Sequence, residues 1–284
     1  MSDPGSDELV DEVIRRCDAA PDPRLREVLA SLVRHLHGFI REVRPTPDEW
    51  MRGIAFVTDV GHACSDTRQE FILLSDVLGA SMQVVAVQRA AAPGCTEATV
   101  FGPFHVEGAP EVAPGGDIAN GAKGAPCTVR CNVRDVHGAP IAGAVIDVWQ
   151  SDDDGLYDVQ RPGLEHAQGR GVLVSDERGA FWFRSVLPVP YPIPTDGPVG
   201  ELLRATRRSA WRPAHLHFRL RADGFDTLVT HVFRRGDPHL ASDPVFGVRE
   251  SLVADWPRRD DGAHELSFDF VLQRSAPGNA SSRD

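Results

Sequence analysis

Tyrosine is nearly missing from this chain, with two in 284 residues, Tyr157 and Tyr191. Cysteine is also sparse. Five cysteines, at 17, 64, 95, 127 and 131, make an odd, scattered set that excludes a disulfide scaffold and suits a reducing compartment. Positive charge is short, with 30 Lys and Arg against 41 Asp and Glu, and the net charge of −11 argues against nucleic acid or anionic membrane as a partner. No apolar run is long enough to suggest a membrane span. The first residues, Met1-Ser2-Asp3-Pro4-Gly5-Ser6-Asp7-Glu8, lack a basic region followed by an apolar one, so no secretory signal is read and a cytoplasmic location is expected. No internal repeat is evident.

The composition, 42% hydrophobic and 25% charged, is that of an ordinary globular protein with room for one large core or two smaller ones. The amino-terminal part has helical periodicity over Leu9 to Ala19 and Leu25 to Val43, the second closed by Pro45. Thr46-Pro47-Asp48-Glu49 reads as a capping box opening a third helix, with Trp50, Ile54 and Val57 on its apolar face. A fourth helix is expected to open near Thr67 with Glu70 as its box partner. Its apolar period runs Phe71, Leu74, Leu78, Met82, Val85, and it is expected to be the most buried of the four. Asp76 interrupts that apolar stretch, as either a solvated position or a polar group aimed into a pocket. His35 and His37 are two apart on a helix, about 200 degrees around the axis, so they cannot chelate together and read as surface.

Glycine and proline multiply after Ala91, which places a boundary near residue 95. Short alternating runs follow: Cys127 to Val133, Ala144 to Trp149, Gly171 to Val174, Ala180 to Val186, His215 to Leu220, Leu228 to Arg234 and Leu266 to Leu272. Many short strands with such turns indicate an antiparallel sandwich or barrel. The expected fold is therefore α+β, with a helical domain over residues 1–95, a β-sandwich domain over 96–274 and a small, polar, disordered tail over 275–284. Cys127 and Cys131 share a strand face with Val129 and Val133, as structural cysteines do. A calcium loop at Asp152-Asp153-Asp154-Gly155 fails, because the register puts Gln150 and Arg161 at the first and last ligand positions.

The chemistry concentrates in Arg212-Pro213-Ala214-His215-Leu216-His217-Phe218, inside the alternating stretch Arg212 to Leu220. Strand alternation projects His215 and His217 from one face. Two such imidazoles are a metal site or ordinary half-buried residues. Both tyrosines lie among turn formers, in Asp153-Asp154-Gly155-Leu156-Tyr157-Asp158 and Val189-Pro190-Tyr191-Pro192-Ile193-Pro194. Two phenols and two imidazoles would make a four-ligand set.

Taken together, Asp147-Val148-Trp149-Gln150 leading to Tyr157, then Tyr191-Pro192-Ile193-Pro194, then the run around His215 and His217, resemble the intradiol ring-cleavage dioxygenases. The resemblance extends from the amino-terminal helices to about Arg274. It implies one iron(III) per subunit, held by Tyr157, Tyr191, His215 and His217, with an aromatic diol or triol and O2 as substrates. Hard ferric iron suits anionic oxygen and accepts imidazole. Holding a phenol of pKa about 10 as phenolate near neutrality takes a shift of ~3 units, about 4 kcal/mol, from the metal's charge. The same resemblance gives Tyr191 the task of leaving the metal with a diol proton while Tyr157 stays, and gives Arg212 that of favouring the anionic ring. Leu73, Asp76, the loop Val100-Phe101-Gly102-Pro103-Phe104, Ile193, Pro194, His231 and Val245 would line the pocket. Thr230-His231-Val232-Phe233 and Val245-Phe246-Gly247-Val248 resemble the branch acting on hydroxyquinol, whereas catechol enzymes usually carry glutamine where His231 stands. Family members commonly dimerise through the amino-terminal helices, sometimes around a lipid, so a homodimer is expected. Three other readings stay open at this stage: a catechol or chlorocatechol dioxygenase, a zinc hydrolase using His215 and His217, and a non-catalytic sandwich that binds partners.

Overall fold

The computed structural model describes residues 4–65, 68–88 and 92–275. Two compact units result, Met1–Asp59 and Val60–Asp284. The first holds α1 (Pro4–Cys17), α2 (Pro23–Val43) and most of α3 (Pro47–His62). Asp22 caps α2 by accepting the Arg24 amide, and Arg44 ends it in the left-handed region at φ 51°. The box before α3 forms as expected. The Thr46 amide donates to Glu49 at 2.8 Å, and the Glu49 amide donates to the Thr46 hydroxyl at 3.3 Å. No residue of α2 is buried, and Trp50, Ile54 and Val57 of α3 are exposed.

The expected fourth helix is two helices. Gly79, at φ +73°, separates α4 (Glu70–Val77) from α5 (Ala80–Gln88), and their axes diverge by 74°. Thr67 lies outside the described residues. Glu70 is buried and works elsewhere, accepting the Val199 amide and pairing with Arg68. The break explains why the single helical stripe is not realised: Met82 is buried, but Phe71 and Leu78 are exposed. No single helix among the described residues is long and apolar enough to cross a membrane.

The remainder is a sandwich. A three-stranded sheet has the order β10-β1-β4, from β1 (Pro126–Asp135), β4 (Ala180–Val186) and β10 (His264–Leu272). A five-stranded sheet has the order β3-β2-β7-β8-β9, from β2 (Val145–Trp149), β3 (Arg170–Val174), β7 (His215–Arg221), β8 (Leu228–Arg234) and β9 (Val253–Ala254). Pairing is antiparallel except for β1 with β10 and β8 with β9, which run parallel. Val129, Cys131, Phe183 and Phe270 from one sheet meet Ile146, Val148, Leu216, Phe218 and Val232 from the other.

Alternation then decides the opposite face of the five-stranded sheet. With Leu216, Phe218 and Leu220 inside the core, His215, His217 and Arg219 must project the other way. Register supplies the neighbours: His217 stands opposite Trp149 on β2 and His231 on β8. The expected strand beginning at Arg212 breaks at Pro213, which has no amide to donate. Arg212 belongs instead to β6 (Trp211–Arg212), paired with β5 (Tyr191–Pro192), so Arg212 lies directly across from Tyr191. Between these strands runs α6 (Pro198–Ala205), a helix the sequence reading did not anticipate despite Pro198 at its first turn. The expected tail over 275–284 lies outside the described residues beyond Ser275.

Candidate metal centre and substrate site

Four donor atoms converge. Tyr157 Oη is 2.8 Å from His217 Nε2 and 3.0 Å from Tyr191 Oη. His215 Nε2 is 3.1 Å from His217 Nε2 and 3.5 Å from Tyr191 Oη. A metal ~2.0–2.2 Å from nitrogen and oxygen donors separates neighbouring donors by roughly this much. All four side chains are buried.

The protonation states fit a cation. The carbonyl of Pro213 can only accept, so the 2.6 Å contact from His215 Nδ1 puts the proton there and leaves a lone pair on Nε2. Burial, with Arg212 nearby, pushes the His215 imidazole well below its ordinary pKa, and burial, with His231 and His215, does the same to His217. Both imidazoles are therefore neutral. Burial also drives the Tyr157 phenol well above its ordinary value, a shift reinforced by Tyr191, and burial raises Tyr191 despite the Arg212 charge. Neither phenol ionises by itself near neutrality. Two neutral imidazoles and two phenol oxygens packed together form a donor set that suits iron of the kind this fold implies.

Tyr157 is held by its loop, whereas Tyr191 lies on β5. Tyr157 precedes a short 3-10 turn, Asp158–Gln160, and its amide donates to the Gln160 side chain at 3.0 Å. Asp158 pairs with buried Arg170, which also donates to the Phe104 carbonyl at 3.0 Å. The Phe104 ring stacks on Tyr157, centroids 4.4 Å apart. Gly155, at φ +75°, lets this loop pass Tyr191: a Cβ there would come 2.8 Å from that of Tyr191.

The imidazoles are packed in place. Trp149 stacks on His217, with centroids 4.8 Å apart and planes 16° apart. Gly102 closes the ring's edge at φ +77°, and a Cβ there would lie 3.2 Å from His217 Cε1. His231 joins His215 and His217 in a buried three-histidine group. Its Nδ1 hydrogen-bonds the Thr99 hydroxyl, and its Nε2 is buried without a protein partner. Burial, with Arg212 and His215, keeps it neutral.

Arg212 reaches the centre from the side. NH1 donates toward His215 Nε2 at 3.2 Å, Nε donates to Asp243 at 3.1 Å, and NH2 has no hydrogen-bond partner among the described residues. Asp76 is buried on α4. Burial raises its carboxyl pKa, against a hydrogen bond from Ser81 and the charge of Arg212.

The other expected pocket residues divide. Val100 and Val245 are buried together against Met82. Phe101 is partly exposed against His105 and Trp149, while Phe104 touches Tyr157 rather than open space. Ile193 is buried, its amide bonded to the Ala210 carbonyl, whereas Leu73 and Pro194 are half-buried and Pro103 is exposed. Sequence reasoning gave no role to Trp149, Thr99, Arg170 or Asp243. Trp149 adjoins Tyr157 in the resemblance, but its stacking partner follows only from the register of β2 on β7.

Residues 101–274 match the Dioxygenase family and residues 22–96 the Catechol dioxygenase N terminus family. The chain belongs to the intradiol ring-cleavage dioxygenases. Among its relatives, it is 61% identical to the 6-chlorohydroxyquinol 1,2-dioxygenase of Cupriavidus pinatubonensis, covering 93% of this chain and 96% of that one. It is 56% identical to the hydroxyquinol 1,2-dioxygenase of Rhodococcus opacus, covering 93% and 92%. The structure of hydroxyquinol 1,2-dioxygenase from Pseudomonas putida superposes with a TM-score of 0.88 at 43% identity, covering 95% of this chain and 99% of the other.

Proposed function

We propose that this protein cleaves hydroxyquinol, benzene-1,2,4-triol, between its adjacent hydroxyls to 3-hydroxy-cis,cis-muconate, which tautomerises to maleylacetate. Both atoms of O2 enter the product as the bond between the two hydroxyl-bearing carbons breaks. The convergence of Tyr157, Tyr191, His215 and His217 carries the reading. Those four side chains would hold one iron(III) per subunit, which would supply the Lewis acidity that ionises the phenols and the diol.

The chain's own groups do the rest. Tyr191 Oη makes the longest of the four contacts, at 3.5 Å, and, as the phenolate it would be on iron, would accept a diol proton and become a neutral phenol, whereas Tyr157 is clamped by Gln160 and Phe104 and stays in place. Arg212 offers N–H groups to the ionised ring oxygen. Asp76 accepts the third hydroxyl, and Val100, Val245, Leu73 and Ile193 hold the ring and exclude water. His231 packs against both imidazoles and lines the site behind them. The names of the 61% and 56% identical relatives support a hydroxyquinol over catechol, and the first supports a chlorinated ring as a second substrate.

Oxygen uptake with hydroxyquinol, 6-chlorohydroxyquinol and catechol tests the reading, alongside iron analysis and the visible spectrum. Faster cleavage of catechol moves the protein to the catechol branch. A colourless, iron-free protein inactive on all three revives the zinc or binding-module reading. The same proposal includes a homodimer through the amino-terminal segment 1–95, with a lipid as a further occupant. Its support is the exposed apolar row Leu25, Val28, Leu32, Leu36 and Phe39 on α2. A monomer in sedimentation at micromolar concentration refutes it.

A further inference from the structure

We propose that Asp243 is a positioning and specificity-determining residue that holds the Arg212 guanidinium and the Val245 wall as one unit; this rests on reading the centre as a diol-cleaving site. Asp243 is almost wholly buried and uses both oxygens. Oδ1 accepts from Arg212 Nε at 3.1 Å and, at the limit of a hydrogen bond, from the Val245 amide at 3.5 Å. Oδ2 accepts from the Gly247 amide at 2.9 Å, and the Asp243 carbonyl accepts from the Phe246 amide at 3.1 Å. A turn is therefore wound around one carboxylate.

The turn's conformation needs that anchor. Phe246 sits at φ +57°, a region costly for a bulky residue, with its ring exposed while Val245 is turned inward against Val100 and Met82. A second tie runs through Arg208, which donates to the Pro244 carbonyl at 3.0 Å and to the Val77 carbonyl at 2.6 Å, beside Asp76. One wall thus joins Val245 to the end of α4 that carries Asp76.

The same carboxylate decides where Arg212 points. Its NH1 contact uses the His215 Nε2 lone pair, which a metal would occupy, and NH2 has no hydrogen-bond partner among the described residues. The Nε bond to Asp243 does not use a ligand atom and so can persist with a metal bound. It leaves NH1 and NH2 for the substrate. An amide cannot replace the carboxylate, because Asn has one acceptor oxygen and its NH2 would meet either Arg212 Nε–H or the Gly247 N–H. Gly247 itself is tightly placed: a Cβ there would lie 3.2 Å from Asp243 Oδ2 and 3.4 Å from Arg212 NH2.

The test is a cycle of Asp243→Asn, Arg212→Ala and both together. Oxygen uptake is followed with hydroxyquinol and catechol, anaerobic titration gives the dissociation constant of hydroxyquinol, and iron content and visible band are recorded for each protein. Asp243→Asn is expected to retain iron, lower kcat on hydroxyquinol by about ten- to a hundred-fold, and narrow the hydroxyquinol-to-catechol ratio of kcat/KM at least roughly threefold. In the Arg212→Ala background it should lower kcat by less than about twofold more, since it acts through a side chain no longer there, yet still narrow the ratio. Multiplicative losses of kcat, or an unchanged ratio, overturn the proposal. Should Asp243→Asn fold poorly, Gly247→Ala presses on both partners without deleting a charge and should shift kcat and the ratio in the same directions. Wild-type kinetics in Gly247→Ala would overturn the proposal too. A wild type that consumes no oxygen with either diol overturns the functional reading and this proposal with it, whereas an active wild type with an additive double variant overturns this proposal alone.

Discussion

Replacing Gly102 by alanine perturbs the centre without touching any donor atom. Two costs separate cleanly. The first is conformational: at φ +77° an alanine sits in the left-handed region, which costs roughly 1–2 kcal/mol. The second is contact. The new Cβ lies 3.2 Å from His217 Cε1, so the imidazole must give way by a few tenths of an ångström. It has little room, because Trp149 is stacked on it and the His231 ring centroid is 4.2 Å away. Misplacing a reacting group by 1 Å costs on the order of a hundredfold in rate, so a few tenths should cost roughly threefold to tenfold.

Gly224 is the control. Its φ is +80°, and a Cβ there meets nothing within 4 Å among the described residues. Gly224→Ala therefore carries the same backbone strain with no pressure on the site. Both variants should lose about 1–2 kcal/mol, some 2–8 °C in melting temperature for a unit of this size. Gly102→Ala alone should lose activity and alter the visible band of the iron-loaded protein. Thermal melts and spectra at equal iron occupancy check this. If the two variants have the same kcat and the same spectrum, His217 is not fixed by the Gly102 contact and the packing argument fails.

The colour of the loaded protein should depend on both phenols, so Tyr157→Phe and Tyr191→Phe should each shift or weaken the visible band, and a band unchanged at full iron occupancy would reject that tyrosine as a ligand. Asp76→Ala should slow hydroxyquinol more than catechol, because a site that hydrogen-bonds a hydroxyl can reject the analogue lacking it by up to about 10⁴; a preference that survives the substitution would place selectivity in Phe101 and Val245 instead. Acid stability should lean on Asp147. Burial raises its carboxyl, but His105, Arg219 and Arg221 outweigh burial and hold it at about 2. A folded pKa below the unfolded value of about 3.9 contributes stability that is complete above that value and is lost as pH falls toward 2. Asp147→Asn should flatten that limb in melts taken between pH 5 and 2, and an unchanged slope would reject the assignment.

How much of this was legible in the chain follows from the range of each interaction. Local chemistry could be read directly, as with the Thr46 to Glu49 box and the strand at Ala180–Val186. The break between α4 and α5 was not read. Its cause is a single glycine, and apolar residues on both sides preserve a helical period across the bend. The paired β5 and β6 escaped because each is two residues long, too short for any period to register. In β7, alternation correctly put His215 and His217 on one face, yet the strand was begun too early because Arg212 also fits the alternation. Pro213 divides it, and the division turns Arg212 toward Tyr191.

Alternation names a face, whereas register names a neighbour, and the site depends on both. That His217 and His215 face away from the core follows from Leu216 and Phe218 facing into it. That Trp149 and His231 flank His217 depends on how β2 and β8 dock on β7, and no local pattern in β7 specifies those partners. The tyrosines belong to a third category. Tyr157 comes from a loop and Tyr191 from the two-residue β5, where period carries no information, and their scarcity rather than their spacing marks them out. Their geometry is set by contacts distant in sequence: Arg170 joins Asp158 to Phe104, and Arg212 on β6 stands across from Tyr191. The imidazoles on β7 are thus placed by sheet regularity and the two phenols by contacts that involve buried cations. This division predicts that variants at Trp149 disturb the imidazole side of the centre while variants at Arg170 disturb the Tyr157 side. Spectra of Trp149→Phe and Arg170→Lys should differ accordingly: the phenolate band should move in Arg170→Lys and stay in Trp149→Phe. The same shift in both would mean that the two supports are one.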